Sequence, residues 1–328
     1  PPGHTHAAAQ QGQRLDNTAM KILQSGEPRC IERPTVATIG FFDGVHLGHR
    51  HLIAEVCARA AATDMASAVV TFDIHPRQVL QPAFAPQLLS TPEEKIALLA
   101  ETGVDYCCVL HFTRELAELS ASDFMRTVLY EQFHVRTLIT GYDNRFGHNR
   151  REGFADYVRH GANMGMEVVQ GSPFTEDGIR VSSSVVRRCL AQGDVATACR
   201  CLGRPYTIEA PVVSGQQEGR RMGFRTANID TTAIGKMLPR RGAYATRVRI
   251  DGQGEWLPAM TNIGTRPTFD GVGLTVETNI LDFSADVYGH RVQVAFCHWL
   301  RDERRFADEH ELARQLSDDE NRVRQLLK

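Results

Sequence analysis

The chain has 328 residues, which at roughly 150 residues per domain predicts about two domains. Hydrophobic residues make up 42% and charged residues 23%, so each domain can bury a core and wholesale disorder is excluded. The formal net charge is −2, which argues against a general binder of nucleic acid or of anionic membranes but leaves room for a local basic pocket. No stretch approaches the roughly 18–20 apolar residues of a membrane span. The sequence therefore predicts neither a nucleic-acid nor a membrane partner.

The cysteines and the first residues both indicate a cytoplasmic protein. None of the eight cysteines forms a C-x-x-C pattern, and the close pairs Cys107/Cys108 and Cys199/Cys201 lack partner clusters at zinc spacing. We therefore expect reduced, mostly buried thiols. Residues 1–19 are small and polar and contain no apolar segment of a secretory signal, so we expect a flexible leader there.

From about residue 33 to residue 190, short apolar runs alternate with helical patterns. The predicted strands are Thr35–Ile39, Ser67–Phe72, Tyr106–Leu110, Thr137–Thr140 and Glu167–Val169. The predicted helices are Leu47–Ala62, Pro92–Ala100 with Thr91 as its N-cap, Ala121–Phe133 and Gly153–Met164. Strands separated by helices of this length predict right-handed crossovers and a doubly wound parallel sheet of the Rossmann type.

After about residue 203, strands follow strands. They are predicted at Tyr206–Val213, Ala243–Ile250, Leu257–Ile263, Thr275–Phe283 and Arg291–Leu300, with no helices between them. This pattern predicts a small antiparallel β-barrel. Two C-terminal helices are predicted at Glu309–Leu316 and Asp318–Leu327, separated by a capping box of Ser317 and Glu320. We place the domains at residues 20–203 and 204–328.

The first predicted strand runs into a loop, G-F-F-D-G-V-H-L-G-H, that opens a helix. His46 and His49 are three residues apart, so they share one helix face, and Gly48 lets a phosphate approach the backbone. Free N–H groups at the helix N-terminus add affinity for anions. Two exposed helix histidines would give the same pattern, but the end of a strand in a doubly wound sheet favours a nucleotide site. Candidate ATP contacts in the same loop are Gly40, Phe41 and Asp43.

A second segment, V-S-S-S-V-V-R, also opens a predicted helix. Hydroxyls of Ser182 and Ser183 at the N-terminus, with Arg187 one turn later, suit the oxygens of a triphosphate. An ordinary serine N-cap with a surface arginine is the alternative.

Two loops that follow predicted strands are candidates to bind a second substrate beside ATP. That substrate would bind through a flat ring. Phe72 and Phe146 can stack on such a ring, or they can anchor their loops in the core. The candidate contacts in the two loops are Phe72, His75, Pro76, Arg77, Asn144 and Phe146.

The barrel domain carries a possible phosphate site, although the sequence contains no P-loop. Gly219 and Gly223 allow close backbone approach, and Thr226 and Asn228 offer hard oxygen ligands for Mg²⁺. Arg241 and Tyr244 lie on either side of Gly242 in a second glycine-containing turn that can face a nucleotide.

Glu277 is a candidate general base. The two-residue period of a strand places it on the face of Leu281 and Phe283, where a carboxylate needs a partner or a function. A substrate hydroxyl is one such partner, and a structural salt bridge to an arginine is the alternative.

Together these segments resemble the bifunctional bacterial riboflavin kinase/FAD synthetase family. The resemblance covers about residues 33–327 and depends on ordered motifs: G-F-F-D-G-V-H-L-G-H, T-F-x-x-H-P, G-Y-D-x-R-F-G, V-S-S-S-x-x-R, L-G-R-P-Y, G-F-x-T-A-N, N-I-G-T-R-P-T-F and V-E-T-x-I-L-D-F. It implies that the barrel phosphorylates riboflavin to FMN with ATP. It also implies that the first domain transfers AMP from ATP to FMN, forming FAD and pyrophosphate. Riboflavin, FMN, FAD and ATP are thus the expected partners, with Mg²⁺ as metal. Separately, we expect a monomer or weak oligomer.

The resemblance also implies residue roles. His46, His49, Ser182, Ser183 and Arg187 match the adenylyltransferase residues, Thr226 and Asn228 match the kinase Mg-ATP ligands, and Glu277 matches the kinase base. The sequence departs from the family where Arg225 replaces a usual proline, and at Asn144 and Asn279. A flavin-binding regulator with an inactive kinase half and an adenylyltransferase for another cofactor are the alternatives.

Overall fold

The computed structural model describes residues 19–24, 31–81, 83–142, 144–213, 226–268, 271–304 and 306–328. Most of the expected leader, residues 1–18, lies outside this described part. The seven described cysteines are free thiols, and four of them are buried.

The first domain is built on a parallel six-stranded sheet in the order β1-β4-β3-β2-β5-β6. Its strands are β1 (Lys21–Gln24), β2 (Thr35–Ile39), β3 (Ala66–Phe72), β4 (Tyr106–Leu110), β5 (Val135–Thr140) and β6 (Glu167–Gln170). The predicted doubly wound sheet is confirmed. The edge strand β1 was not predicted, because four residues that pair only with β4 leave almost no pattern in the sequence.

Helices cover both faces of this sheet. They are α1 (Leu47–Ala62), α2 (Pro76–Leu80), α3 (Pro92–Ala100), α4 (Arg114–Glu118), α5 (Ala121–Phe124), α6 (Phe154–Met164), α7 (Ser183–Gln192) and α8 (Val195–Leu202). A π-helical stretch, Met125–Gln132, continues α5 over the length of the predicted third helix. Thr91 caps α3 as predicted, in a capping box with Glu94.

Neighbouring residues of β2 enter two different cores. Val36 packs in the cluster of Ile53 and Val56 on α1, whereas Ala37 packs in the cluster of Leu129 in the π-helical stretch. Because successive side chains point to opposite faces of a strand, both faces of β2 must be apolar. All of its residues are buried accordingly.

The second domain is a closed barrel, which confirms the predicted small antiparallel barrel, and its strand order is β10-β13-β12-β11-β14-β9. Its strands are β9 (Tyr206–Val213), β10 (Thr226–Ile229), β11 (Gly242–Ile250), β12 (Gln253–Thr268), β13 (Gly271–Ile280) and β14 (Arg291–Arg301), and a hairpin of β7 (Thr175–Glu176) and β8 (Ile179–Arg180) precedes α7. The short strand β10 was not predicted. The predicted strand through Phe283 is three residues too long, because β13 ends at Ile280.

The two domains share one hydrophobic cluster. Leu190 of α7 and Leu202 of α8 pack in the same cluster as Tyr206, Tyr244 and Phe296 of the barrel. The predicted boundary at residue 203 runs through this cluster, so the buried residues of α7 and α8 belong to the packing of the barrel.

The C-terminal helix is continuous, which corrects the prediction of two helices. α9 spans Glu309–Leu326 and begins at Asp308, whose side chain accepts the amide N–H of Glu311 at 2.8 Å. Ser317 is exposed inside the helix and caps nothing. The local S-x-x-E pattern is overridden by packing, because Leu316 and Val323 both pack on the barrel surface around Met260.

Substitutions at Asp308 and at Ser317 test whether the C-terminal helix is continuous. We expect Asp308→Ala to cost about 1 kcal/mol of unfolding free energy, the typical loss of an N-cap. Ser317→Ala should be neutral or stabilise by a few tenths of a kcal/mol, since alanine is the better helix former. Both tryptophans lie in the barrel, at residues 256 and 299, so urea unfolding followed by tryptophan fluorescence measures this domain. An Ser317→Ala loss equal to that of Asp308→Ala would contradict the continuous helix.

Candidate active sites

The first candidate site is a cavity of about 340 Å³ where β2 and β5 end. β2 lies between β3 and β5, and the order of the sheet reverses there, which is where doubly wound sheets bind ligands. The cavity brings together many of the residues predicted from separate segments: Gly40, Phe41, His46, Gly48, His49, Asn144, Ser182 and Ser183. Sequence reasoning missed other lining residues, including Arg150, Ser172, Phe174 and Arg180. Arg180 directly precedes the V-S-S-S segment, and this position is a signal from which the sequence could have predicted it as a lining residue.

The two histidines form one stacked unit. Their ring centroids are 3.6 Å apart with an interplanar angle of 16°. His46 is the N-cap of α1, and its Nδ1 accepts the amide N–H of His49 at 3.2 Å. A neutral His46 therefore carries its proton on Nε2, which leaves that N–H available as a donor. A Cβ at Gly48 would lie 3.2 Å from the His46 ring and 3.1 Å from the Val181 carbonyl oxygen, so a side chain there would have to displace one of these groups by a few tenths of an ångström.

Both histidines are neutral near pH 7. Burial, together with the positive charges of Arg187 and Arg204, lowers the pKa of His46 to about 3. Burial and the neighbouring His46 also hold the pKa of His49 well below its usual range. The Nδ1 atom of His49 is buried and has no hydrogen-bond partner among the described residues. A ligand oxygen in the cavity would supply that missing partner.

Ser182 and Ser183 hold the start of α7 at the cavity. The Ser182 side chain accepts the amide N–H of Val185 at 3.3 Å, as the alternative of a serine N-cap predicted. The Ser183 hydroxyl donates to the Asp43 carbonyl at 3.1 Å. Both serines still line the cavity. The N-termini of α1 and α7 therefore meet at one place, which suits an anion.

Asp43 and Arg187 are engaged with each other. Arg187 Nη2 donates to Asp43 Oδ2 at 2.5 Å, and its Nε donates to the Gln87 carbonyl at 2.7 Å. Asp43 is 3% exposed and also accepts the amide N–H groups of Leu89 and Ser90. The described lining of the cavity includes neither Asp43 nor Arg187. Their roles in this structure are to hold the loop after β2 and to place a positive charge near the histidines.

The predicted flavin contacts of the loop after β3 lie beside Phe41. His75 caps α2 by accepting the amide N–H of Arg77 at 3.2 Å, followed by Pro76 as the first helical residue. The His75 ring lies 4.7 Å from the Phe41 ring, edge to face. The Arg77 guanidinium lies over the Phe84 ring at 4.1 Å.

The aromatic residues of the two flavin loops both pack on other rings. Phe72 meets Phe112 edge to face at 5.3 Å, and Phe146 stacks on Tyr157 at 4.1 Å. These contacts fit the alternative of loop-anchoring core residues. Asn144 lines the cavity, where its Nδ2 donates to the Ile39 carbonyl at 2.5 Å.

The second candidate site is on the outer face of the barrel. Glu277 of β13 is directly opposite Asn228 of β10 and Asn262 of β12, and Thr226 is opposite Asn279. Cross-strand partners point to the same face, so these polar side chains form one group. Four of them, Thr226, Asn262, Glu277 and Asn279, line a cavity of about 210 Å³ under the C-terminal segment. Its other lining residues include Met260, Arg301, Phe306, Leu316 and Asp319.

A further cavity of about 160 Å³ lies on the other side of β10 and β13. Thr226 lines both cavities, and this one continues through Ala227, Thr278 and the segment 283–288. Phe283 lines this cavity, so the prediction that it shares the face of Glu277 is wrong. The chain leaves β13 before Phe283, which frees that residue from the two-residue period.

Tyr244 and Arg241, two of the predicted nucleotide contacts of the kinase, line neither of these two cavities. The Tyr244 ring is buried against Phe296 and Trp299 inside the barrel, and its hydroxyl donates to the Arg240 carbonyl. Arg241 is exposed at the start of β11. The predicted contacts Gly219 and Gly223, and the departure at Arg225, lie outside the described residues.

The described part of the chain has no membrane-spanning helix and no metal-binding cluster of His, Cys, Asp or Glu side chains. Its helices include none that is long and apolar enough to cross a membrane. Within the same ranges, no three His, Cys, Asp or Glu side chains cluster as a metal site.

Comparison with known proteins assigns both domains. The FAD synthetase family model matches residues 29–185, and the riboflavin kinase family model matches residues 202–327. A bifunctional riboflavin kinase/FMN adenylyltransferase of Escherichia coli K12 is 38% identical over 88% of this chain and 92% of its own length. The enzyme of that description from Pseudomonas fluorescens is 40% identical over 85% of this chain and 88% of its own.

One solved structure is similar over nearly the whole chain. A Streptococcus pneumoniae chain described as a macrolide-efflux protein superposes with a TM-score of 0.81 at 29% identity, covering 90% of this chain and 95% of that one. The riboflavin kinase match explains the barrel, which an adenylyltransferase for another cofactor would not. The chain belongs to the bifunctional riboflavin kinase/FMN adenylyltransferase family, and it is an enzyme with one domain for each activity.

Proposed function

We propose that the cavity at the switch point of the sheet transfers AMP from ATP to FMN, and that the outer face of the barrel phosphorylates riboflavin. We place the division at residue 203, which is supported by family matches that end at residue 185 and begin at residue 202. The observation that carries the assignment is the meeting of two helix N-termini and two stacked, neutral histidines in one cavity.

In adenylyl transfer, an oxygen of the FMN phosphate bonds to the α-phosphorus of ATP as the bond to pyrophosphate breaks. The negative charge that develops on the α-phosphate oxygens needs donors placed in advance. His46 Nε2–H, the ring of His49 and the amides that begin α1 and α7 provide these donors. Arg187 contributes its charge from behind, since it lowers the pKa of both histidines. Gly40, Phe41, Ser182 and Ser183 then surround ATP, and Asn144 and the His75 loop hold FMN.

In riboflavin phosphorylation, the 5′-hydroxyl oxygen bonds to the γ-phosphorus of ATP, and ADP leaves. Glu277 takes the hydroxyl proton in this proposal. The support is its position on the lining of the cavity of about 210 Å³, between Asn228 and Asn262. That cavity would take the flavin. The cavity across β10 would take the nucleotide, because Thr226 lines both.

The kinase residues also fit a magnesium ion. Thr226 and Asn228 are two residues apart on β10, so their side-chain oxygens share the face of Glu277. Hydroxyl and amide oxygens are the hard ligands that Mg²⁺ accepts beside substrate phosphates. When bound, the ion would neutralise charge on the β- and γ-phosphates. Thr226 and Asn228 would hold it next to the base.

We further propose a cytoplasmic monomer or weak oligomer that binds neither nucleic acid nor membranes. Support comes from the formal net charge of −2 and from the free thiols of the described chain.

The histidine pair is tested by His46→Ala and His49→Ala in the full chain. Each change removes a donor aimed at the transferring phosphate, so FAD formation from FMN and ATP should fall by about 10²–10³. FMN formation from riboflavin should persist, and FMN should accumulate. His290→Ala, at an exposed histidine of the barrel domain, is the matched control. Equal loss of both products in a folded variant would refute the assignment.

Glu277→Gln tests the kinase base. The amide keeps the shape of the side chain but cannot accept the proton, so FMN formation should fall by about 10²–10⁴. FMN supplied from outside should still become FAD. Glu255→Gln, at an exposed glutamate of β12, should leave both rates unchanged. Normal phosphorylation of riboflavin by Glu277→Gln would instead indicate a structural role.

Thr226→Ala and Asn228→Ala test the metal site. Each should raise the Mg²⁺ concentration for half-maximal FMN formation at least about tenfold. Even substitution of a residue that only hydrogen-bonds to a metal ligand typically lowers metal affinity by this factor. The measurement is a Mg²⁺ titration at fixed riboflavin and ATP, with FAD formation by the same protein as control. An unchanged Mg²⁺ midpoint in both variants would remove these residues from the metal site.

A further inference from the structure

Lys95 of α3 is a buried lysine that none of the roles above uses. Its side chain is 3% exposed. Its Nζ donates to the Phe72 carbonyl oxygen at 2.6 Å and lies 4.2 Å from the centre of the Phe41 ring. In the described part of the chain, no carboxylate is within ion-pair distance of this ammonium. Burying a cation without a paired anion is costly, so the position needs a compensating function.

The two groups that the ammonium contacts belong to the two substrate loops. Phe41 follows β2 and lines the cavity proposed for ATP. Phe72 ends β3 and leads into the loop of His75, whose ring meets the Phe41 ring at 4.7 Å. One cation thus contacts the end of β3 and the loop that follows the adjacent parallel strand β2. A hydrogen bond to one loop and a cation–π contact to the other fix their separation.

Helix α3 itself is firmly held, which makes Lys95 a fixed point. Thr91 and Glu94 close a capping box at its first turn. Glu94 also accepts both hydrogen bonds of Lys236 from the barrel domain, at 2.5 and 2.6 Å. Lys95 follows Glu94 directly, so its backbone is placed by both domains.

We propose that Lys95 is a positioning residue for adenylyl transfer, holding the flavin loop at Phe72 against the ATP loop at Phe41. This inference rests on the proposed assignment of the cavity to adenylyl transfer. An isolated structural role is the alternative. In that case an apolar side chain of similar volume would serve equally well, because replacing a buried charge by good packing is often neutral or stabilising.

The charge of Lys95 is sensitive to pH in the working range. Burial lowers the pKa of Lys95 to about 8, while the nearby Cys107 thiol stays neutral because burial raises its pKa to about 11. The carboxylates of Asp43 and Asp73 and the ring of His75 are the other titratable groups that face it. Burial lowers the pKa of His75, so this ring is uncharged above pH 7. Raising the pH through 8 therefore removes the positive charge from Lys95 and weakens its contact with Phe41.

Lys95→Met in the full chain is the first test. The KM for FMN in FAD formation should rise about ten- to hundredfold, as expected for loss of a desolvated cation–π contact and a charged hydrogen bond. FMN formation from riboflavin should change less than about twofold, and the thermal midpoint should not fall. Lys21→Met, at an exposed lysine of β1, is the matched control. Lys95→Arg keeps the charge and should recover part of the affinity for FMN.

A second measurement needs only the wild-type chain. Its KM for FMN should rise between pH 7 and pH 9, and Lys95→Met should lack this rise. A wild-type KM that is flat over this range, or a folded Lys95→Met with unchanged KM for FMN, would overturn the inference. If the wild-type chain forms no FAD from FMN and ATP, the proposed function fails. If it forms FAD but Lys95→Met behaves as the wild type, only the role of Lys95 fails.

Discussion

Asp43 supplies the interaction on which the adenylyltransferase half depends. Its carboxylate is 3% exposed and accepts the amides of Leu89 and Ser90, the Ser90 hydroxyl and the guanidinium of Arg187. Its carbonyl accepts the hydroxyl of Ser183. A buried carboxylate is tolerated only with this many donors, because it has lost its water. The result is that one residue joins the loop after β2, the segment before α3 and the start of α7. That junction directs the N-termini of α1 and α7 at one cavity.

The same segment before α3 also connects the two domains. Leu88 next to it accepts the amide of Met237, and Glu94 accepts the ammonium of Lys236. Around these polar contacts, α7 and α8 contribute to the cluster that fills the barrel. The kinase group of Glu277 is on the opposite surface of that barrel wall, under α9. The fold therefore keeps the two chemistries on separate surfaces while it joins their supports through one packed interface.

Local patterns predicted what local physics decides. The spans of α1, α3, β2 and β4 follow from periodicity and from the cap at Thr91, and the structure confirms them. The pattern failed at Ser317, where S-x-x-E is a valid cap in isolation but packing of Leu316 and Val323 keeps the helix continuous. It also failed for Tyr244, whose burial against Trp299 depends on barrel closure. The pair of Asp43 and Arg187 joins residues 144 positions apart, and no spacing rule reports such a contact.

A charged residue of the second domain influences the electrostatics of the histidine pair in the first. Arg204 lies just beyond the proposed boundary, yet its Nη2 donates to the Gly44 carbonyl at 2.7 Å. Its charge, with that of Arg187, adds to burial in lowering the pKa of His46. A neutral imidazole offers one fixed donor, whereas two stacked imidazolium rings would repel each other. Two arginines near the pair thus favour neutral imidazoles. In neutral His46, Nδ1 accepts the amide N–H of His49, so the proton is on Nε2, which points away from that hydrogen bond. The loop after β2 is consequently held in place by both domains, because one of those arginines, Arg204, belongs to the segment that begins the barrel.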